Sequence, residues 1–141
     1  EGWRCHGFDT LHRPADRDRI RFEQRGGKLR NLLHPSVPQL AAAAVSTLHA
    51  RASAQVGERP LGRVLSHTGG RDVLRALETA LPGQSLRASK DVLRRFGNMS
   101  SPSVLFALAD ELEQGPPTPG EDWWLVGFGA GFSAHGCRFG C

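Results

Sequence analysis

Three cysteines, two lysines and no apolar run of membrane length describe what this 141-residue sequence has little of. Cys5, Cys137 and Cys141 are too few for a closed disulfide framework, and no CxxC pair offers metal-ligand spacing. The thiols therefore read as reduced, in a cytoplasmic protein, and no metal site is expected. A membrane-spanning helix needs about 20 consecutive apolar residues, whereas the longest weakly apolar run, Leu40 to Val45, is mostly alanine. No membrane association is expected. Signal and transit patterns are missing too, and the chain opens on Glu1-Gly2-Trp3 without an initiator methionine, which raises the expectation of a piece cut from something longer.

What is present suits a globular chain: 39% hydrophobic and 23% charged residues in 15.3 kDa, read as one domain over 1–141. Eighteen Lys plus Arg exceed fourteen Asp plus Glu by a net charge of +4. The excess is modest, and cations alternate with acids through Arg13-Pro14-Ala15-Asp16-Arg17-Asp18-Arg19, so a one-sign patch for nucleic acid is not expected. A few placed arginines would still serve an anionic ligand such as the phosphates of coenzyme A.

The apolar pattern places a strand at Arg19–Gln24, where Ile20 and Phe22 alternate with polar neighbours, before a Gly26-Gly27 turn. The rest of residues 1–35 reads as extended segments and loops. A helix is predicted from Ser36 to Gly57 on Leu40, Ala44, Leu48 and Ala52. A buried strand, Leu61–His67, runs into Gly69-Gly70 and a helix carrying Val73, Leu74, Leu77 and Leu81. Two shorter helices follow, one from about Ser89 to Gly97, the other from Ser100-Ser101-Pro102 with Val104, Leu105, Leu108 and Leu112 inward. Trp123 to Phe139 reads as two strands joined at a glycine corner. Interspersed strands and helices point to an α/β layer architecture.

Three places could carry chemistry. Gly127-Phe128-Gly129-Ala130-Gly131 invites a phosphate-loop reading, but the GxGxxG spacing is not met and no helix follows; a tight bend packed beside a site is preferred. His67 lies at a strand end, where α/β folds present side chains to ligands. Asn98 sits in a polar turn, Gly97-Asn98-Met99-Ser100-Ser101, between two helices. Taken singly, His67 reads as a hydrogen-bonded structural residue, and Asn98 or Ser100 as a helix cap. Taken together, an imidazole and a carboxamide offer two donors for one thioester oxygen, where loss of one donor typically costs ~10²–10³ in rate.

The succession His67-Thr68-Gly69-Gly70, Gly97-Asn98-Met99-Ser100-Ser101 and Gly127-Phe128-Gly129-Ala130-Gly131 resembles the C-terminal half of type III polyketide synthases, the chalcone and stilbene synthase family. Arg21-Phe22-Glu23-Gln24-Arg25 and Gly27-Lys28-Leu29-Arg30-Asn31 look like its bacterial branch. The resemblance implies an α/β chain forming the C-terminal half of a thiolase-like, layered αβαβα fold that usually dimerises. It also implies an acyltransferase that loads an acyl-CoA starter on a cysteine and extends it by decarboxylative Claisen condensation with malonyl-CoA.

In that family the catalytic set is Cys, His and Asn. His67 and Asn98 match the last two, while the nucleophilic cysteine belongs to the missing N-terminal half, so the chain by itself is expected to be inactive. Cys5, Cys137 and Cys141 are read as structural or incidental. By the same resemblance Gly69 and Gly70 would let the pantetheine arm approach, Ser100 would line the polyketide pocket, and Gly127, Gly129 and Gly131 would shape the opposite wall. Coenzyme A thioesters are the implied substrates, with no other cofactor. Ala130 stands where plant members usually have proline, and Leu29-Arg30-Asn31 lacks the aromatic gate expected nearby. Arg71 and Arg75 are read as a solvated helix face. Two alternatives stay open: a ketoacyl synthase of the fatty-acid initiation type, and a non-catalytic thiolase-like binding half. Half of such a fold is also expected to uncover part of Trp123, Trp124 and Leu125.

Overall fold

The computed structural model describes residues 3–56 and 61–140; the expected helix end at Gly57 and Cys141 lie outside the described residues. Strands β1 (Arg4–His12), β4 (Leu61–Ser66), β5 (Asp122–Gly129) and β6 (Ser133–Gly140) form a four-stranded sheet in the order β1-β6-β5-β4. β5 and β6 are the expected antiparallel hairpin, and β4 runs parallel to β5. Strands β2 (Ile20–Arg25) and β3 (Lys28–Leu33) pair antiparallel around the Gly26-Gly27 turn as a separate two-stranded ribbon. A short 3₁₀ turn, Pro14–Arg19, precedes the ribbon, and Arg13 pairs with Asp16 at 2.8 Å, so opposite charges there do offset one another.

Four helices complete the α/β architecture: α1 (Val37–Gln55), α2 (Arg71–Ala80), α3 (Arg87–Phe96) and α4 (Pro102–Leu112). Because successive strand residues point to opposite sides, the strands β4, β5 and β6 feed two cores. Val64, Trp124, Val126 and Ala134 pack with Leu48, Leu74 and Leu77 of α1 and α2. Leu65 and Trp123 pack on the other side with Ala88 and Val92 of α3 and Ala107 of α4. Of the three residues expected to be partly uncovered, Trp123 and Trp124 are 3% and 1% exposed, one inside each core, and only Leu125 is half-buried.

The extended segments expected in residues 1–35 include the longest described strand: residues 4–12 form β1, an edge strand paired with β6, and Phe8 on it stays exposed. One other reading needs correction. On α4 the inward residues are Ser103, Ala107 and Glu111, with Val104, Leu108 and Leu112 half-buried and Leu105 exposed. That helix is apolar nearly all round, so periodicity does not choose its inner face. Small Ser103 and Ala107 allow a close approach to the sheet, and Glu111 is buried only because Arg87 meets its carboxylate at 2.7 Å and Arg63 at 3.4 Å.

Candidate active site

The carboxyl end of β4, the start of α2, the α3–α4 turn, the end of β5 and the β2–β3 ribbon surround one cavity of about 880 Å³. His67, Gly69, Gly70, Asn98, Ser100, Gly127 and Gly129 all line it. Gly131 does not: it lies in the β5–β6 turn with φ +120°, a conformation that demands glycine there for the turn and not for a cavity wall. Gly131 thus stands apart from Gly127 and Gly129, the other two expected wall glycines.

His67 follows β4 immediately, and its backbone N–H bonds the Val126 carbonyl of β5 at 2.8 Å, which extends the sheet to the cavity edge. Its Nδ1 lies 3.0 Å from the Ser100 carbonyl oxygen. A carbonyl only accepts, so Nδ1 carries the proton and Nε2 of the neutral ring is an acceptor. Burial pushes the imidazole pKa below its usual value, and the Ser100 carbonyl opposes that shift. Phe128 of β5 meets the ring edge-on at 5.0 Å between centroids.

Asn98 is oriented from its oxygen. The Ser100 N–H donates to Asn98 Oδ1 at 3.0 Å and the Thr68 hydroxyl to the same atom at 3.3 Å. Ser100 therefore holds both polar groups, its carbonyl on the imidazole and its N–H on the carboxamide. It does so with φ +62°, as the sole non-glycine residue of positive φ among the described residues. A left-handed serine is a conformation the backbone adopts at a cost of about 1–2 kcal/mol, and here that geometry turns both of its peptide groups toward the site.

The two glycines after the histidine differ. A Cβ on Gly69 would come within 2.8 Å of the Phe128 ring and 2.9 Å of Val73, so Gly69 makes room for the ring that packs on His67. Gly70, Gly127 and Gly129 have open space where a Cβ would stand, which leaves that part of the cavity free for a ligand. Arg71 reaches the rim, yet its side chain is 76% exposed and pairs with Asp72, as expected of a solvated helix face.

Sequence reasoning missed the ribbon's part in the site. Ile20, Phe22, Asn31 and Leu33 of β2 and β3 line the cavity, facing the same side because Ile20 pairs with Leu33 and Phe22 with Asn31. The alternation at Ile20 and Phe22 signalled a strand but not its target. His135 of β6 also reaches the cavity, with its Nδ1 3.0 Å from the Thr10 hydroxyl. Thr68, between the histidine and the double glycine, carried no signal at all.

Cys5 and Cys137 face one another across β1 and β6 with sulfurs 3.5 Å apart, away from the cavity-lining set. Burial and the neighbouring Cys5 thiol push the Cys137 thiol up to about 11, which makes it a poor nucleophile near neutrality. No cluster of three or more His, Cys, Asp or Glu suited to a metal ion occurs among the described residues. No helix among them is long and apolar enough to cross a membrane.

Comparison with known proteins gives a consistent picture. Residues 15–138 match the model of the C-terminal domain of chalcone and stilbene synthases. The 3,5-dihydroxyphenylacetyl-CoA synthase of Streptomyces toyocaensis is 32% identical over 121 residues, covering 83% of this chain and 31% of the relative. The 3-ketoacyl-CoA synthase 7 of Arabidopsis thaliana is 34% identical over 77 residues, 53% of this chain and 17% of that one. Among solved structures, the 1,3,6,8-tetrahydroxynaphthalene synthase of Streptomyces coelicolor, a bacterial type III polyketide synthase, superposes with a TM-score of 0.86 at 26% identity, over 98% of this chain and 40% of that one. The chain thus spans less than half the length of each of these three relatives.

Proposed function

Because the chain belongs to the chalcone and stilbene synthase family, as the C-terminal domain of a thiolase-like fold, we propose that it supplies the His/Asn half of an acyltransferase site. The complete enzyme would condense an acyl-CoA starter with malonyl-CoA by decarboxylative Claisen condensation. The observation that carries this reading is the double attachment of Ser100, which fixes an imidazole and a carboxamide at the edge of one cavity.

The nucleophilic cysteine is assigned to the remaining part of the longer protein. Its thiol proton passes to Nε2 of His67, and the resulting imidazolium is favoured by the Nδ1–H bond to the Ser100 carbonyl. The thiolate attacks the starter thioester, and coenzyme A leaves as a thiolate that takes its proton from solvent. The ring so keeps its Nε2–H. Malonyl-CoA then loses CO₂, and the electron pair of the broken C–C bond becomes an enolate whose oxygen accepts from His67 Nε2–H and Asn98 Nδ2–H. Charge grows on that oxygen toward the transition state, so two fixed donors act where they lower the barrier. The enolate carbon finally attacks the acyl-cysteine carbonyl and releases the thiolate.

Gly70, Gly127 and Gly129 leave the wall on which the pantetheine arm and the growing chain lie, with Ser100 beside them. We read the complete protein as a cytoplasmic homodimer that works on coenzyme A thioesters without another cofactor. The match to a 3-ketoacyl-CoA synthase favours one second reading, a single ketoacyl-forming condensation without further extension. Both readings share the decarboxylation step. The test is CO₂ release from malonyl-CoA by this chain joined to its natural upstream part: His67→Ala is expected to lower it ~10²–10³-fold, and full activity in that variant overturns the assignment. Exclusive use of malonyl-carrier protein by the unmodified enzyme would point to the fatty-acid initiation type instead.

A further inference from the structure

A carboxamide has two ends of nearly equal shape and opposite chemistry. Turned one way, Asn98 offers N–H donors to the cavity; turned the other, it offers a carbonyl that would repel an enolate. Something must choose between these states, and a single backbone N–H on one side of a turn leaves the choice weakly enforced. Thr68 supplies the second constraint. It is fully buried, its hydroxyl lies 3.3 Å from Asn98 Oδ1, and it lies equally 3.3 Å from the hydroxyl of Ser103, itself fully buried on α4. Ser103 Oγ in turn accepts the Met99 N–H at 3.2 Å. Thr68 is placed as donor toward both Asn98 Oδ1 and Ser103 Oγ, and of the two the carboxamide oxygen is the stronger acceptor for its one proton. Both hydroxyls are fully buried, so water does not compete for that proton.

We propose that Thr68 is a positioning residue: its hydroxyl, together with the Ser100 N–H, pins Asn98 Oδ1 inside the protein and leaves the carboxamide N–H₂ to the substrate oxygen. The inference rests on the function proposed above, and it adds a residue that touches no substrate and acts only through Asn98. Thr68→Val removes the hydroxyl and keeps the branched shape, and Thr68→Ser restores the hydroxyl without the methyl.

The test uses the complete enzyme, this chain with its upstream part, and malonyl-CoA as the probe. Thr68→Val is expected to lower kcat for decarboxylation about tenfold, the order of one lost hydrogen bond, with KM for malonyl-CoA and the acyl-loading burst unchanged. Thr68→Ser recovers most of the rate. With Asn98→Ala already present, Thr68→Val has no further effect, because its only route of action is gone. Equal fold losses in both backgrounds, or a Thr68→Ser enzyme as slow as Thr68→Val, overturn the proposal. The same four proteins of the cycle give a readout free of any reaction. Thr68→Val lowers the thermal unfolding midpoint less in the Asn98→Ala background if the two side chains are bonded, and by the same amount if they are not. A complete enzyme that releases no CO₂ from malonyl-CoA would defeat the polyketide reading, while independent midpoint shifts would defeat the Thr68–Asn98 link.

Discussion

The two faces of the four-stranded sheet are built from alternate residues of the same strands, yet they serve different ends. On the α1 and α2 side, Trp124, Val64 and Val126 meet Leu48, Leu74 and Leu77 in an apolar core. On the α3 and α4 side the apolar cluster is small, and buried hydroxyls share the space: Ser89 Oγ accepts the Ser66 N–H at 2.9 Å, and the Thr68 hydroxyl reaches both Asn98 and Ser103. The first face is specified by hydrophobic burial, which is non-directional and tolerant of shape. The second is specified by hydrogen bonds whose partners must all be present, since an unpaired buried polar group is costly. A site that aims donors at one atom is best built on the second kind of face, with the first supplying the stability it lacks.

That contrast is breakable. Within the complete chain, Leu77→Ala should cost about 2–5 kcal/mol in denaturant unfolding, because Leu77 has no exposed surface and leaves a cavity between α1 and α2; a loss under half a kilocalorie, by this measure about 0.5 kcal/mol or less, would mean that core is not the stabilising one. Ser100 comes next. Ser100→Val places a β-branched residue at φ +62° and should cost about 1–2 kcal/mol along with most of the decarboxylation rate, whereas Ser100→Gly relieves the backbone and leaves both backbone hydrogen bonds, to His67 and to Asn98, in place.

Acid should separate the faces differently. His67 on the site side and His49 against Trp124 on the core side both have pKa values lowered by burial from the usual 6.5. Below 6.5 the unfolded chain binds protons that these folded histidines refuse, so their stabilising contribution is complete above that pH and is lost as pH falls through the depressed folded values. Replacing both with Gln should flatten the fall in unfolding free energy as pH drops below about 6.5; an unchanged slope would mean that neither is buried neutral. The smallest effect belongs to Arg71→Ala, a 76% exposed side chain at the cavity rim, expected to shift stability by no more than about 0.5 kcal/mol. A larger change in stability would show that the rim is more than solvated surface.

Much of this was legible in the chain itself, and the reason differs from place to place. The helices at Leu40–Ala52 and Val73–Leu77 announced themselves because one face of each is buried and apolar, and that periodicity is written in the residues. His67 and Asn98 were legible because each stands on a turn directly after or before a regular element, within blocks that come in a recognisable order. The inner face of α4 was not, since Leu105 and Phe106 look as buriable as Leu108, and the deciding residues are the small Ser103 and Ala107. At 4–12 only an extended segment was legible, because an edge strand rich in Arg, His and Asp shows little apolar alternation to fix its bounds. Thr68 and the β2–β3 ribbon escaped for a third reason: their roles depend on partners about 30 or more positions away in the sequence for Thr68 with Asn98, or on the placement of a whole hairpin over the cavity, and neither relation leaves a local trace.

The central claim is that an imidazole just after β4 and a carboxamide before α4 act on the same oxygen. A double-mutant cycle of His67→Ala and Asn98→Ala, read as CO₂ release from malonyl-CoA by the complete enzyme, tests it most directly. The account predicts that each single variant loses ~10²–10³ and that the double variant loses far less than the product of the two. Losses that simply multiply, or an unimpaired rate in either single variant, would contradict it.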